Sequence, residues 1–426
     1  MNHSASPVTV DHDDIIRART ALLASGRRTP REEVRAYRVL AQVGPAAYLP
    51  LLADSLLSWS YQVPNDRPDV CLPLVEEAVA AARAIDPAEP ARAEVLRRAL
   101  HAYQRELYAT GRRAEGLAVR AELGPGIWAT GLLEEGRYAE AADALTRVVP
   151  ALRADGPRSG ALAWSLLEWT TALDAAGRHA EALAAFADFV AMQAEEAANE
   201  RASLSSHLLL LLRYARMLDA AGRGEEATAA RREALALLTR LAATGEPRTW
   251  SGYQRVFWAV LLSISGAESE RFAPGEPRPP FGATVMDWSP DIKKRYFDAC
   301  DGLRDRIDAL VPQAADDPDR HLAELVRLQR VLTVRSAVRW EHCGCLSVEK
   351  AGPLFDEGVE LARRLAAHDP ADGPAALVTA LTDRCTLRIA GRDFAPALAD
   401  FREALGLQPA GCGTIRPRSS RVLSSQ

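Results

Sequence analysis

The stretch EHCGC, holding Glu341, His342, Cys343 and Cys345, is the only cluster in the chain that suggests chemistry. Thiolate and imidazole ligands suit zinc or copper(I), and a thiol near a helix end can be reactive. Two arguments oppose a site there. Zinc centres use paired Cys knuckles at defined spacing, and no second pair exists among the six cysteines at 71, 300, 343, 345, 385 and 412. The C-terminal end of a helix also raises a thiol pKa rather than lowering it. The preferred reading is a hairpin turn with two small buried thiols. Elsewhere the chain has no phosphate-cradling P-loop, no His-Glu-x-x-His helix and no Gly-x-Ser-x-Gly elbow. The eight histidines are otherwise dispersed, and carboxylates stand at i, i+4 to arginines as on solvated helix faces. No catalytic residue, metal ligand or cofactor is therefore assigned, and an enzyme is not expected.

Composition says which elements would have to position any site. Hydrophobic residues make up 48% of the 426, but aromatics only 6%; Ala, Leu and Arg dominate, so an all-α chain is expected. Lysine occurs only at 293, 294 and 350, which a GC-rich genome explains. A net charge of −5 gives no general attraction to nucleic acid. Six scattered cysteines make no disulfide framework and fit a reducing cytoplasm. The N-terminal MNHSASPVTVDHDD lacks the marks of a signal peptide. HLLLLLRYARML is too short to span a bilayer and contains Arg213 and Arg216, so no membrane association is expected.

One corner is written five times: GRRAEGLAVR, GRYAEAADAL, GRHAEALAAF, GRGEEATAAR and GRDFAPALADF, opening at Gly111, Gly136, Gly177, Gly222 and Gly391. Four residues before each glycine stands Leu: Leu107, Leu132, Leu173, Leu218 and Leu387. Eight before, four corners have an aromatic: Tyr103, Trp128, Trp169 and Tyr214. These spacings mark one helix face, ended by a glycine in the left-handed conformation. Five residues after the glycine comes a small residue, Gly116, Ala141, Ala182 or Ala227, opening a second apolar stripe. Each unit thus reads as helix, tight turn, helix, with the small residue permitting close approach. A lone pair cannot cover its own apolar faces, so a stacked solenoid is expected.

This pattern resembles the tetratricopeptide repeat (TPR) family. The fullest match is GRDFAPALADFREALGLQP, where Phe394, Ala397, Phe401, Ala404 and Pro409 fall on family positions, with one extra residue between Gly391 and Phe394. Phe186 and Tyr138 match elsewhere, whereas Gly224 and Arg231 depart. Glycine spacings of 25, 41 and 45 differ from the usual repeat of about 34 and resemble the longer bacterial variants. LVEEAVAAARAIDP (74–87) and LFDEGVELARRLAAHDP (354–370) look like equivalent second helices ended by proline. The resemblance implies a right-handed superhelical α-solenoid of TPR-like hairpins.

The expected organisation is N-terminal capping helices at 1–44, a solenoid at 45–245, an insertion at 246–318, further repeats at 319–410 and a disordered tail at 411–426. TPREE predicts a helix start with Thr29 as N-cap, Pro30 in the first turn and Glu32 completing a capping box. The insertion, with a helix from about 248 to 265 and a Pro/Gly-rich loop, carries Trp250, Tyr253, Phe257, Trp258, Phe272, Phe281, Trp288, Tyr296 and Phe297. A solvated linker would not be built so; the loop is expected to fold back, pinned by Phe272, Phe281 and Trp288. Nothing obvious caps the last hairpin, which would invite self-association through a solenoid end.

By the same resemblance, a protein or peptide partner would lie along a concave face lined by first helices, with Trp164, Thr171, Asp174, Leu212, Arg216 and Asp219 as groove residues. The carboxylate-clamp subfamily needs Lys and Asn where Leu167, Thr171 and Leu212 stand. A mixed groove would suit an amphipathic helix or a mixed peptide. A scaffold or adaptor is the favoured function. A peptide- or ligand-sensing TPR regulator with a separate output domain is the alternative, and an enzyme or metal protein centred on 341–345 the third.

Overall fold

The computed structural model describes residues 10–23, 28–64, 67–154, 160–200, 202–247 and 253–408. The proposed tail 411–426, Pro409, Cys412 and Trp250 lie outside them. The described residues form eighteen α-helices and no strand, in keeping with the Ala-, Leu- and Arg-rich composition.

Two compact units divide the chain, with the cut inside one helix, where the sequence suggested no boundary between 45 and 245. Residues up to Gly131, with Ser289–Asp291, make the first. It contains α1 (His12–Leu23), α2 (Pro30–Val43), α3 (Pro45–Ser60), α4 (Pro68–Ala84), α5 (Arg92–Ala109), α6 (Arg113–Leu123) and most of α7 (Pro125–Glu134). From α1 to α6 each helix packs on the next, around Leu56, Val75, Ala78, Ala82, Ala99 and Leu107. The start of α2 is as the sequence predicts: Thr29 Oγ1 accepts from Glu32 N–H, and the Glu32 carboxylate accepts from Thr29 N–H at 2.9 Å.

The second unit, Leu132–Trp288 and from Ile292 onward, contains α8 (Tyr138–Ala154), α9 (Gly160–Ala175), α10 (His179–Ala198), α11 (Leu204–Ala220), α12 (Gly224–Thr244) and α13 (Tyr253–Gly266). Most of α14 (Pro290–Asp316) follows, then α15 (Pro318–His342), α16 (Val348–His368), α17 (Gly373–Ala390) and α18 (Phe394–Gly406). Neighbours again pack in pairs from α8 to α12 and from α15 to α18. Two helices break that order. Helix α13 packs on α11, α15 and α17, and α18 packs on α12. The last hairpin therefore has a second neighbour, where the sequence suggested nothing to cover it.

Four of the five corners share one geometry. Gly111, Gly136, Gly177 and Gly222 have φ of +77°, +71°, +77° and +73°. In each, the glycine N–H bonds back to the carbonyl three residues before, and the following arginine N–H bonds to the Leu carbonyl five before, at 2.8–2.9 Å for Leu107, Leu132, Leu173 and Leu218. This is the Schellman closure, with glycine in the left-handed seat. All four leucines are fully buried, as are Ala141, Ala182 and Ala227 on the second helices. A Cβ on Gly116 would meet the Tyr108 ring at 2.9 Å, so only glycine permits that approach.

The fifth corner is shifted by one residue. Here Asp393 N–H bonds to Arg388 O and Arg392 N–H to Ile389 O. The left-handed residue is Arg392 at φ +65°, while Gly391 is right-handed at φ −83°. The extra residue before Phe394 moves the closure along, so Leu387 is not the counterpart of the other four leucines. Gly391 is small for another reason: a Cβ there would run into Val348 at the start of α16.

The two kinds of glycine give opposite expectations. Gly177→Ala should cost about 1–2 kcal/mol through its backbone alone, since nothing lies within 4 Å of the added carbon. Gly391→Ala should cost about 1–3 kcal/mol by overpacking, while Arg392→Gly should stabilise by about 0.5–1 kcal/mol. Urea unfolding of the three variants checks the order; a destabilising Arg392→Gly would contradict the shifted turn.

Candidate functional site

The second unit gathers its buried charge where α11, α13, α15 and α17 meet. Helix α11 begins firmly: the Ser203 hydroxyl accepts from Ser206 N–H at 3.1 Å, and the Glu246 carboxylate accepts from Ser205 N–H at 2.8 Å. A carboxylate suits the electropositive helix start. The run Leu208–Leu212 is buried on all sides, so the next polar positions, Arg213 and Arg216, emerge from an apolar setting.

With Arg330 they make a cluster of three arginines and three carboxylates, Asp174, Glu268 and Asp383. Arg216 donates to Glu268 at 2.9 Å and to the Ser265 hydroxyl. From α15, Arg330 donates to Asp383 of α17 at 2.8 Å, to Ser265 Oγ at 2.7 Å and to Ser269 Oγ at 2.8 Å. Burial opposes the Arg330 charge, yet Asp383 beside it holds the group above the usual guanidinium value. Ser265 Oγ donates to Asp383 at 3.4 Å, so one hydroxyl ties the two ion pairs together. Arg213 differs: its nearest carboxylate is Asp174 at 3.8 Å, and among the described residues no hydrogen bond satisfies its guanidinium. Burial first, and Arg216 second, push it below the ordinary arginine value.

Between these helices lies a cavity of about 40 Å³, partly open to solvent, whose polar wall is Arg213, Arg216, Ser265, Thr382, Asp383 and Thr386. Its apolar wall includes Leu209, Leu212, Leu261 and Trp258. Trp258 is held by its Nε1–H, which donates to Thr386 Oγ1 at 2.9 Å.

The insertion loop reaches the same helices. As the sequence predicts, it folds back: Phe281 packs on Phe272 at 6.3 Å and on Trp288 at 6.1 Å, with Trp288 buried. Glu268 meets Arg216 on α11, and Gly282 sits against Thr171 on α9, where an added Cβ would be 2.6 Å from Thr171 Oγ1. Arg278 N–H bonds to Glu134 O at 2.8 Å.

Of the six predicted groove residues, Leu212 and Arg216 share the cavity wall, and Asp174 approaches it through Arg213. The other three lie elsewhere. Trp164 is half-buried edge-on to Phe257 at 5.7 Å. Thr171 is under the loop and donates to Leu167 O at 2.8 Å. Asp219 is paired with Arg231 of α12, the very residue that departs from the family pattern. Among the aromatics of the first helices, Trp169 donates to Thr146 Oγ1 at 3.0 Å and Tyr214 stacks on Phe186; Tyr103 and Trp128 are half-buried. Ala397 and Phe401 are buried on α18.

Sequence reasoning missed Arg213 as a site residue, although its i, i+3 spacing to Arg216 was visible. It also missed a second clause of the corner motif. Arg112, Arg137, Arg178 and Arg223 each grip the glutamate three residues on, Glu115, Glu140, Glu181 and Glu226, through paired bonds of 2.5–2.8 Å. These bonds hold Glu115, Glu140 and Glu181 below the usual carboxylate range.

EHCGC is a sixth corner. Gly344 has φ +66°, Gly344 N–H bonds to Glu341 O at 2.8 Å, and Cys345 N–H bonds to Trp340 O at 2.9 Å. The expected turn is there, but its thiols are exposed, not buried, because the left-handed residue turns the chain outward beyond the α15 cap. Cys345 accepts from Lys350 Nζ at 3.5 Å. Among the described residues no group of three or more His, Cys, Asp or Glu is placed to hold a metal ion.

Fold and site define an all-helical protein of consecutively packed helices, with a cavity walled by arginine, hydroxyl and leucine side chains. Among the described residues no helix is long and apolar enough to cross a membrane. No family model matches the chain, and no curated protein matches it.

Proposed function

We propose that this protein is a TPR-like interaction module of the long-repeat bacterial kind, a right-handed solenoid that binds a peptide or helix of a partner protein. The observation that carries this reading is the fourfold recurrence of one corner: glycine at φ near +75°, buried leucine, and an arginine gripping the glutamate three residues on. Repetition of one supersecondary unit is how helical proteins build extended binding surfaces. The face carrying Thr171 and Asp174 on α9 and Arg216 and Asp219 on α11 is the groove, and no catalytic step is assigned to it. The free cysteines among the described residues favour a cytoplasmic setting.

A photo-cross-linking residue at the exposed Ala175 of α9 tests the groove against one at the exposed Ala236 of α12. In native lysate a discrete partner should be captured from 175 and not from 236. Equal capture from both, or none from 175, would overturn the groove assignment.

One observation favours the regulator reading as second. The insertion places Glu268 on Arg216 and Gly282 on Thr171, two groove residues, so loop and partner would compete for one surface.

A further inference from the structure

We infer that the cavity between α11, α13 and α17 is a binding site for a small aliphatic carboxylate, held by Arg213. The argument begins with which charges are already spoken for. Asp383 is taken by Arg330 at 2.8 Å, and Arg216 by Glu268 at 2.9 Å and by Ser265. Of the two carboxylates near Arg213, Glu268 is bonded to Arg216, and Asp174 lies at 3.8 Å and receives a closer bond from His179 Nδ1 at 2.7 Å. The Arg213 guanidinium thus stands at the cavity wall with unspent donors, its side chain 14% exposed. Such a group, largely buried, facing a partly open cavity and without a hydrogen bond among the described residues, is placed to receive an anion.

The donors decide the ligand class. Thr382 Oγ1 already donates to Val378 O at 2.7 Å, Thr386 Oγ1 to Asp383 O at 2.8 Å, and Ser265 Oγ to Asp383 at 3.4 Å. With these hydroxyls engaged, guanidinium N–H groups remain, and the Arg213 fork, which makes no hydrogen bond among the described residues, matches the two oxygens of a carboxylate. A volume of 40 Å³ exceeds the roughly 10–15 Å³ that one water requires about threefold, and the open side of the cavity leaves a short alkyl end room beyond the carboxylate head. A phosphate brings a second charge, which Arg213 alone does not balance. Leu209, Leu212, Leu261 and Trp258 give the remaining wall an apolar character, suited to a short alkyl chain rather than a hydrated ion. This site uses the insertion helix α13 and does not require a peptide along α9 and α11.

Isobutyrate is the probe, observed by saturation-transfer NMR with the full chain. Binding should saturate, be absent for isobutyramide, and be weaker for phosphate. Arg213→Gln should weaken it at least about tenfold, the loss of one charge-assisted bond pair. Arg213→Lys, which keeps the charge but not the fork, should fall between the two. Near-UV circular dichroism verifies that each variant is folded. N-acetylalanyl-leucine, with its free C-terminus, separates two sources of the same chemistry. Isobutyrate binding without peptide binding leaves the small-acid site standing and gives no support to the partner groove; tighter peptide binding that Arg213→Gln abolishes transfers the site to a chain terminus and overturns the small-acid assignment. No saturable isobutyrate binding, or binding that Arg213→Gln leaves unchanged, overturns the inference, whatever Ala175 captures.

Discussion

Glu270→Ala is expected to lower the unfolding free energy by about 3–5 kcal/mol, although the residue lies on the irregular insertion. Its carboxylate is 3% exposed and takes two bonds from Arg335, from Nε at 2.9 Å and from Nη2 at 2.6 Å. Arg335 Nη1 also donates to Tyr296 O at 3.1 Å, and the guanidinium lies 4.4 Å from the Tyr296 ring centre. Burial opposes the Arg335 charge, but the Glu270 bonds outweigh it and keep the group above its ordinary value. Removing the carboxylate leaves a desolvated cation with one carbonyl and one ring face. The double variant Glu270→Leu, Arg335→Met should cost far less, because both charges go and their desolvation goes with them. Urea unfolding followed by tryptophan fluorescence measures both. A single-variant loss below about 1 kcal/mol, the level of an exposed pair, would show that the two groups are not held dry.

That pair also marks the limit of what the sequence discloses. Local rules foretold much. The Thr29–Glu32 capping box and four of the five glycine turns are where residue type and spacing put them. Each of those features is decided within about six residues, by a backbone hydrogen bond or a steric limit. The fifth turn failed by a single residue, since the glycine was read for φ when it served clearance from Val348, a residue far away in the chain. The cavity was legible only in part. The family resemblance put Leu212 and Arg216 on one face, but nothing local says that Glu268 reaches Arg216 or that Arg330 reaches Asp383. An ion pair between distant segments has no periodicity to read. The placement of α13 among α11, α15 and α17 is likewise a product of packing, and it makes the cavity.

Trp288→Ala should be as costly as the loss of Glu270, about 3–5 kcal/mol, by a different route. Trp288 is 2% exposed and lies against three rings, Phe281 at 6.1 Å, Tyr296 at 5.4 Å and Phe297 at 6.4 Å. Its Nε1–H donates to Ala283 O at 3.3 Å, so the indole both fills the space over α14 and closes the loop end. Alanine would leave a void among large rings that cannot collapse easily, whereas Trp288→Phe should keep most of the packing and lose mainly the hydrogen bond and part of the area. The consequence reaches past the void. Phe281 adjoins Gly282, and Gly282 rests on Thr171, so loss of the indole should release the loop from α9. Limited proteolysis within 270–284 should then speed up in Trp288→Ala and not in Gly391→Ala, a variant of moderate cost at the α17–α18 corner. Equal acceleration in both would mean that cleavage follows global unfolding. Acceleration confined to Trp288→Ala would mean that the aromatic cluster fastens the loop over Thr171, and that the loop opens as a unit while the helices stay packed.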